Sequence, residues 1–132
     1  MAARIGRLKR RADFLRVAGL RRRCAAPGLI LQAAPNPDGA CVAGMLRVGF
    51  TASRKIGGAV ERNRARRRLK AAVTAIMPGH AEAGIDYVVI GRQGTLTRAF
   101  ADLTRDLETA LRRLHLWREA GAAAATARTR TS

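Results

Sequence analysis

Acid is scarce in this chain for its size. Its 132 residues include 9 Asp or Glu against 26 Lys or Arg, for a formal net charge of +17. Asp13, Asp38, Glu61, Glu82, Asp86, Asp102, Asp106, Glu108 and Glu119 are scattered along the sequence. A metal-dependent nuclease gathers carboxylates around a divalent cation, and no such gathering is visible. Asp102 and Asp106 share a helical spacing with Arg105 between them, as in surface ion pairing. Aromatics are fewer still: Phe14, Phe50, Tyr87, Phe100 and Trp117. Base stacking is therefore limited, and most of these rings are expected in the core. Phe14, beside a basic block, is the exception. Cys24 and Cys41 are 17 residues apart, with no CxxC pair and no His at zinc-ligand spacing. Free thiols are expected, and His80 and His115 read as surface or cap residues. Ser53, Thr51 and Cys24 have no neighbouring base, and Gly57-Gly58 lacks the rest of a phosphate loop. No complete active site and no protein-held metal are expected. No apolar run approaches a membrane span, and the basic N-terminus lacks the apolar segment of a secretion signal. A soluble cytoplasmic protein is expected.

Positive charge is abundant and clustered. Residues 4–23 sum to +8 and residues 54–70 to +7, leaving +2 for everything else. Two basic blocks on a near-neutral scaffold are the footprint of a polyanion-binding surface. The length suits one domain with a modest core. Residues 1–118 are assigned to it, and the low-complexity residues 119–132 to a disordered tail.

The pattern predicts the order α-β-β-α-β-α. Residues 1–10 are expected to fray. RADFLRVAGL (11–20) has helical spacing with Gly19 as a stop. Arg21 to Arg23 form a connection or short edge strand. A strand begins at Leu29, and Pro35-Asn36-Pro37-Asp38-Gly39 is a turn. Residues 42–52 alternate as a second strand, expected to run antiparallel to the first. A helix runs from about Gly58 to Met77, ended by Pro78-Gly79. Tyr87-Val88-Val89-Ile90 is a continuous apolar run suited to a buried central strand. Arg92 to Gly94 turns the chain into an amphipathic helix from Leu96 to about Leu116, with Phe100, Leu103, Leu107, Leu111 and Leu114 inward.

The helix after Gly58 divides into two faces. Ala65, Leu69, Ala72, Val73 and Ile76 form an apolar stripe. Asn63, Arg67, Lys70 and Thr74 lie away from it. Arg66 borders the stripe, Arg64 and Arg68 flank the far side, and Arg62 falls near the stripe in the first turn. A solvated helix would mix signs, whereas Glu61 is the lone acid of this segment. The turn from Lys55 to Gly58 adds donors at a helix N-terminus, itself an anion site.

The run LRVGFTASRKIGGAVERNRARRRLKAAV (46–73) resembles the signature of the protein subunit of bacterial ribonuclease P. LKRRADFLRV (8–17) and DYVVIGRQG (86–94) resemble that family's first helix and last strand, so the similarity spans roughly residues 7–115. The resemblance implies an α+β fold, a two-layer α/β sandwich (ribosomal protein S5 domain 2-like). Its sheet would be mostly antiparallel and four-stranded, with an unusual left-handed βαβ crossover. It implies a non-catalytic subunit of an endoribonuclease whose centre and Mg2+ belong to a partner RNA, bound one to one, with precursor tRNA as substrate. Arg54, Lys55, Arg62, Asn63, Arg64, Arg66, Arg67, Arg68 and Lys70 would meet the catalytic RNA. Arg10, Arg11, Phe14, Val17 and Gln32 would line a cleft for the 5′ leader. Where family members often carry a second aromatic and a tyrosine, this chain has Ala18 and Gln32. A general or ribosomal-type RNA-binding protein is the alternative reading. DNA binding ranks lower because helix-turn-helix spacing is missing, and no membrane partner is expected.

Overall fold

The computed structural model describes residues 4–37 and 45–119. They form β1 (Arg4–Arg7), α1 (Arg11–Gly19), β2 (Arg23–Ala25), β3 (Leu29–Pro35), β4 (Met45–Ala52), α2 (Ala59–His80), β5 (Ile85–Gly91), α3 (Gln93–Thr97) and α4 (Phe100–Arg113). Asp38-Gly39, Cys41, residues 42–44 of the expected strand and the tail from residue 120 lie outside the described residues. The strands make one five-stranded sheet in the order β1-β4-β5-β3-β2.

The apolar run of β5 takes the centre of this sheet. It pairs parallel with β4 and antiparallel with β3, and Tyr87 and Val89 are fully buried. Parallel neighbours need a crossover, and α2 supplies it between β4 and β5. The sheet is thus mixed and five-stranded, where a mostly antiparallel, four-stranded one was expected. The added strand is β1, which pairs parallel with β4 through Ile5 opposite Leu46 and Arg7 opposite Val48. A run of four residues is too short to carry a strand signal by itself; β4 makes it a strand. β3 and β4 run in opposite directions as expected, but β5 lies between them.

Strand periodicity splits the side chains between two faces. Leu29, Leu31, Leu46, Val48, Tyr87 and Val89 point into the main core, where Leu69, Val73 and Met77 of α2 and Leu103, Leu107 and Leu111 of α4 meet them. On the opposite face a smaller cluster joins Leu8, Val17, Ala34 and Val88, with Phe14 and Ile90 packed at its edge. This is the seat of α1. The approach is close: a Cβ on Gly49 would lie 2.5 Å from the Phe14 ring. Glycine at 49 therefore lets the helix settle on the sheet.

Several boundaries moved for local reasons. α2 continues through Pro78 to His80. Proline removes one bond to the carbonyl of Thr74, a residue on the exposed face. The last helix is broken at Arg98-Ala99 into α3 and α4, and Phe100 stays 44% exposed instead of joining the core. Asp106, expected on the surface, is buried beside Gly28 in an ion pair with Arg98 at 2.6 Å. Beyond α4, Leu116 is buried and Trp117 bridges to Ala81, stacking 4.0 Å from His80.

Nine residues are too few to hold α1 as an isolated helix. Its tether is Asp86, fully buried on β5. Asp86 Oδ1 accepts from Asn36 Nδ2 at 2.7 Å and Arg47 Nε at 3.0 Å, and Oδ2 accepts from Arg47 Nη2 at 2.7 Å and from Arg16 of α1. Arg16 also donates to the carbonyl of Pro35 at 3.0 Å. Burial pushes the Asp86 pKa up, but the hydrogen bonds from Arg47, Asn36 and Arg16 outweigh it and hold the carboxyl below its ordinary value of 3.8. The resulting stability is present above that value and lost as pH falls through the depressed native pKa. Asp86→Ala is expected to lower unfolding free energy by about 3 kcal/mol at neutral pH, because it removes the buried carboxylate that two part-buried guanidinium groups share. Chemical denaturation measures this. The variant should also lose less stability than the parent between pH 5 and pH 2, in roughly the range where the carboxylate is protonated.

Candidate nucleic-acid interface

The turn leading into α2 is built to present charge. Ser53 to Ile56 closes it, with Ile56 buried as an anchor and Gln93 Nε2 donating to the Lys55 carbonyl at 2.6 Å. Gly57 has φ +147°, and a Cβ there would meet the Glu61 side chain at 2.9 Å, so glycine is required. Arg54 and Lys55 project from this turn into solvent. The Glu61 carboxylate accepts from the Gly58 amide at 2.9 Å. The lone acid of the segment thus caps its own helix, and this amide at the expected anion site is already engaged.

Along α2, Asn63, Arg67 and Lys70 are exposed and Arg66 is half-buried beside them. Arg66 Nη2 donates to Asn63 Oδ1 at 2.5 Å, which braces the guanidinium along the helix. These four residues, with Arg7 of β1 and Phe50 of β4, line a depression of about 270 Å3. Arg7 also reaches a second depression of about 450 Å3 with Lys9, Arg10, Asp13, Pro37 and Arg47, at the N-terminus of α1. Arg7 therefore joins the two basic blocks that the sequence shows apart. Sequence reading missed Arg7, since its position depends on β1 pairing with β4.

Other expected residues have different placements. Arg64 is exposed on the flank. Arg62 is half-buried, its Nε donating to the Gly58 carbonyl at 3.4 Å. Arg68 turns toward the joint between α3 and α4 and donates to the Arg98 carbonyl. Its position, 160° around the helix from Lys70 at 100° per residue, faces a neighbouring element, and the residue is half-buried. Arg11 is exposed on α1 and Phe14 is half-buried above Gly49. Val17 is 0% exposed, so it seats α1 and offers no surface to a ligand. Gln32 of β3 pairs with Val88 and Arg23, on the face that carries α1.

Charge is segregated across the molecule. The ion pairs among the described residues use Arg16, Arg47, Arg98, Arg105, Arg112 and Arg118. None of the basic residues between 54 and 70 takes part in one. An uncompensated row of guanidinium groups repels itself, and it is relieved when phosphates bind. Among the described residues no group of three or more His, Cys, Asp or Glu could hold a metal ion. The arrangement can grip and position a polyanion.

The comparisons with known proteins agree on one family. The sequence model described as Ribonuclease P matches residues 3–115. The chain is 62% identical over 114 residues to the ribonuclease P protein component of Paramagnetospirillum magneticum, covering 86% of each protein. It is 47% identical over 113 residues to that of Gluconacetobacter diazotrophicus, covering 86% of this chain and 94% of the relative. Among solved structures it resembles the Staphylococcus aureus RNase P protein, with TM-score 0.69 and 25% identity over 85% of this chain and 97% of that one. The Thermotoga maritima RNase P protein shares the fold at TM-score 0.62 and 24% identity, covering 76% of this chain and 90% of that one.

For a nucleic acid held on this face, each lost phosphate contact reduces the salt dependence of binding by about one unit of log–log slope. The double substitution Arg67→Ala with Lys70→Ala is expected to flatten that slope by about two units. Arg68→Ala should leave it unchanged and instead cost about 1 kcal/mol of stability, through its lost hydrogen bond. Filter binding across a salt series, with thermal melts, separates the two effects.

Proposed function

The chain belongs to the Ribonuclease P family, and from that premise we propose that it is the protein subunit of a ribonuclease P ribonucleoprotein. In this reading it binds one catalytic RNA and the 5′ leader of precursor tRNA in the cytoplasm. It assists the endonucleolytic step that leaves the mature tRNA 5′ end. The hydrolytic centre and its Mg2+ belong to the RNA. The observation that carries this reading is the acid-free row of Asn63, Arg66, Arg67 and Lys70, continued by Arg7.

The protein's part is electrostatic. Two RNAs brought together repel through their phosphates, and a row of guanidinium groups between them reduces that repulsion. Arg67, Lys70 and Arg66 face the catalytic RNA, with Arg54 and Lys55 extending the surface around the turn and Arg64 at its flank. Arginine suits this role because its planar fork meets phosphate oxygens in pairs. Arg62 steadies the first turn of α2, and Arg68 ties the helix to the α3–α4 joint. On the other side of β1, Arg10 and Arg11 receive the leader backbone, and Phe14 offers an aromatic surface. Gln32, only 8% exposed, lies in the sheet face beneath. Holding the leader single-stranded in a basic cleft favours substrate binding and raises Mg2+ occupancy at the RNA.

A reconstituted cleavage assay tests the whole. Protein alone should leave precursor tRNA intact, and the catalytic RNA alone should cleave poorly at low Mg2+. The two together should restore cleavage at that Mg2+ concentration. Cleavage by the protein alone would sink the proposal. Tight RNA binding with no gain in cleavage would leave a general RNA-binding protein.

A further inference from the structure

The basic face of α2 is continuous with an apolar groove for which the electrostatic role has no use. The groove lies between β1 and α2 and holds about 370 Å3, within the range of small-ligand sites. Ile5, Val48, Phe50, Val73 and Pro78 form its apolar walls. Arg7 and Lys70 stand at its rim, and these two residues with Phe50 also line the neighbouring basic depression. The two depressions are therefore halves of one trough, cationic at one end and apolar at the other, with a half-buried aromatic ring between them. No acid lines either half.

The chemistry of the trough selects its occupant. An aliphatic ligand or apolar peptide has no need of arginine and lysine at the rim. A second copy of a chain carrying +17 would bring like charge against like charge. A nucleotide has an apolar π-face one sugar away from a phosphate, which matches Phe50 beside Arg7 and Lys70. Resting on the ribonucleoprotein reading above, we propose that the β1–α2 groove receives one unstacked nucleobase of the partner RNA, with that nucleotide's phosphate held at Arg7 and Lys70. The contact would give this face a preference for an extruded base, beyond general attraction to phosphate.

Two substitutions alter the groove without removing a cation. Thr74 is exposed and lines the groove, so Thr74→Trp fills it from outside the core. Ile5 is 37% exposed, and Ile5→Ser strips one wall. The probe is the catalytic RNA of the same source, with the full-length protein. Base-edge reactivity is read by dimethyl sulfate and carbodiimide, and affinity by a salt series. The wild-type protein should protect one base that becomes reactive again with either variant. Affinity should fall about tenfold, as for loss of one stacked base, with the salt slope unchanged. The groove proposal is overturned if no base behaves this way, or if both variants bind within about twofold of wild type. Altered self-association with wild-type base reactivity would also overturn it, by making the groove a contact between copies. Circular dichroism checks folding, and Ile5→Ser carries the test should Thr74→Trp fail to fold. Failure of the wild-type protein to bind the RNA would overturn both readings. Failure confined to base protection would overturn the groove alone.

Discussion

A single buried carboxylate organises the α1 side of this protein. Asp86 sits at 0% exposure on the central strand and accepts from Arg47 of β4, Asn36 just after β3, and Arg16 of α1. An ionised group inside a fold is tolerable when its lone pairs are filled by positively charged donors. Four segments therefore have to arrive together, and their arrival fixes where α1 lies. The position of α1 in turn sets the place of Phe14 and Arg10, while the pairing of β1 with β4 places Arg7. The seat of α1 on the sheet thus rests on one acid in a chain that has few.

The scarcity of acid has a second consequence. Asp13, Glu82, Asp86, Asp102, Asp106, Glu108 and Glu119 all pair with arginines of the scaffold, and Glu61 caps α2. The basic residues of 54–70 are left without such partners among the described residues. Self-repulsion along α2 is offset by its apolar stripe, where Ala65, Leu69, Ala72 and Val73 are almost wholly buried. Packing holds the helix in place, and the exposed side keeps its charge free of acidic partners among the described residues. Packing and positive charge are thus divided between two faces of one helix.

Much of this was legible in local pattern. The two faces of α2 follow from 3.6-residue periodicity, and the central position of β5 follows from an unbroken apolar run. The binding class follows from clustered charge beside scattered acids. Other features resisted such reading for definite reasons. β1 has four residues, below the length at which alternation means anything, and exists because β4 offers an unpaired edge. Arg68 reads as a surface cation until α3 and α4 pack over it. Asp106 reads as an exposed partner of its own helix until Arg98 and Gly28 enclose it. Val17 belongs to the expected cleft by position on α1, yet the sheet covers it completely.

By itself the sequence determined the charge and the amphipathic helices, because helix faces and net charge depend on residues within a few positions of one another. Tertiary structure alone decided the strand order, the burial of Asp86, and the trough between β1 and α2. Those features need contacts such as Arg16 with Asp86, 70 positions apart, or Arg7 beside Lys70. No local pattern encodes such meetings; they form when the whole core closes and each segment finds the one place that satisfies its polar groups.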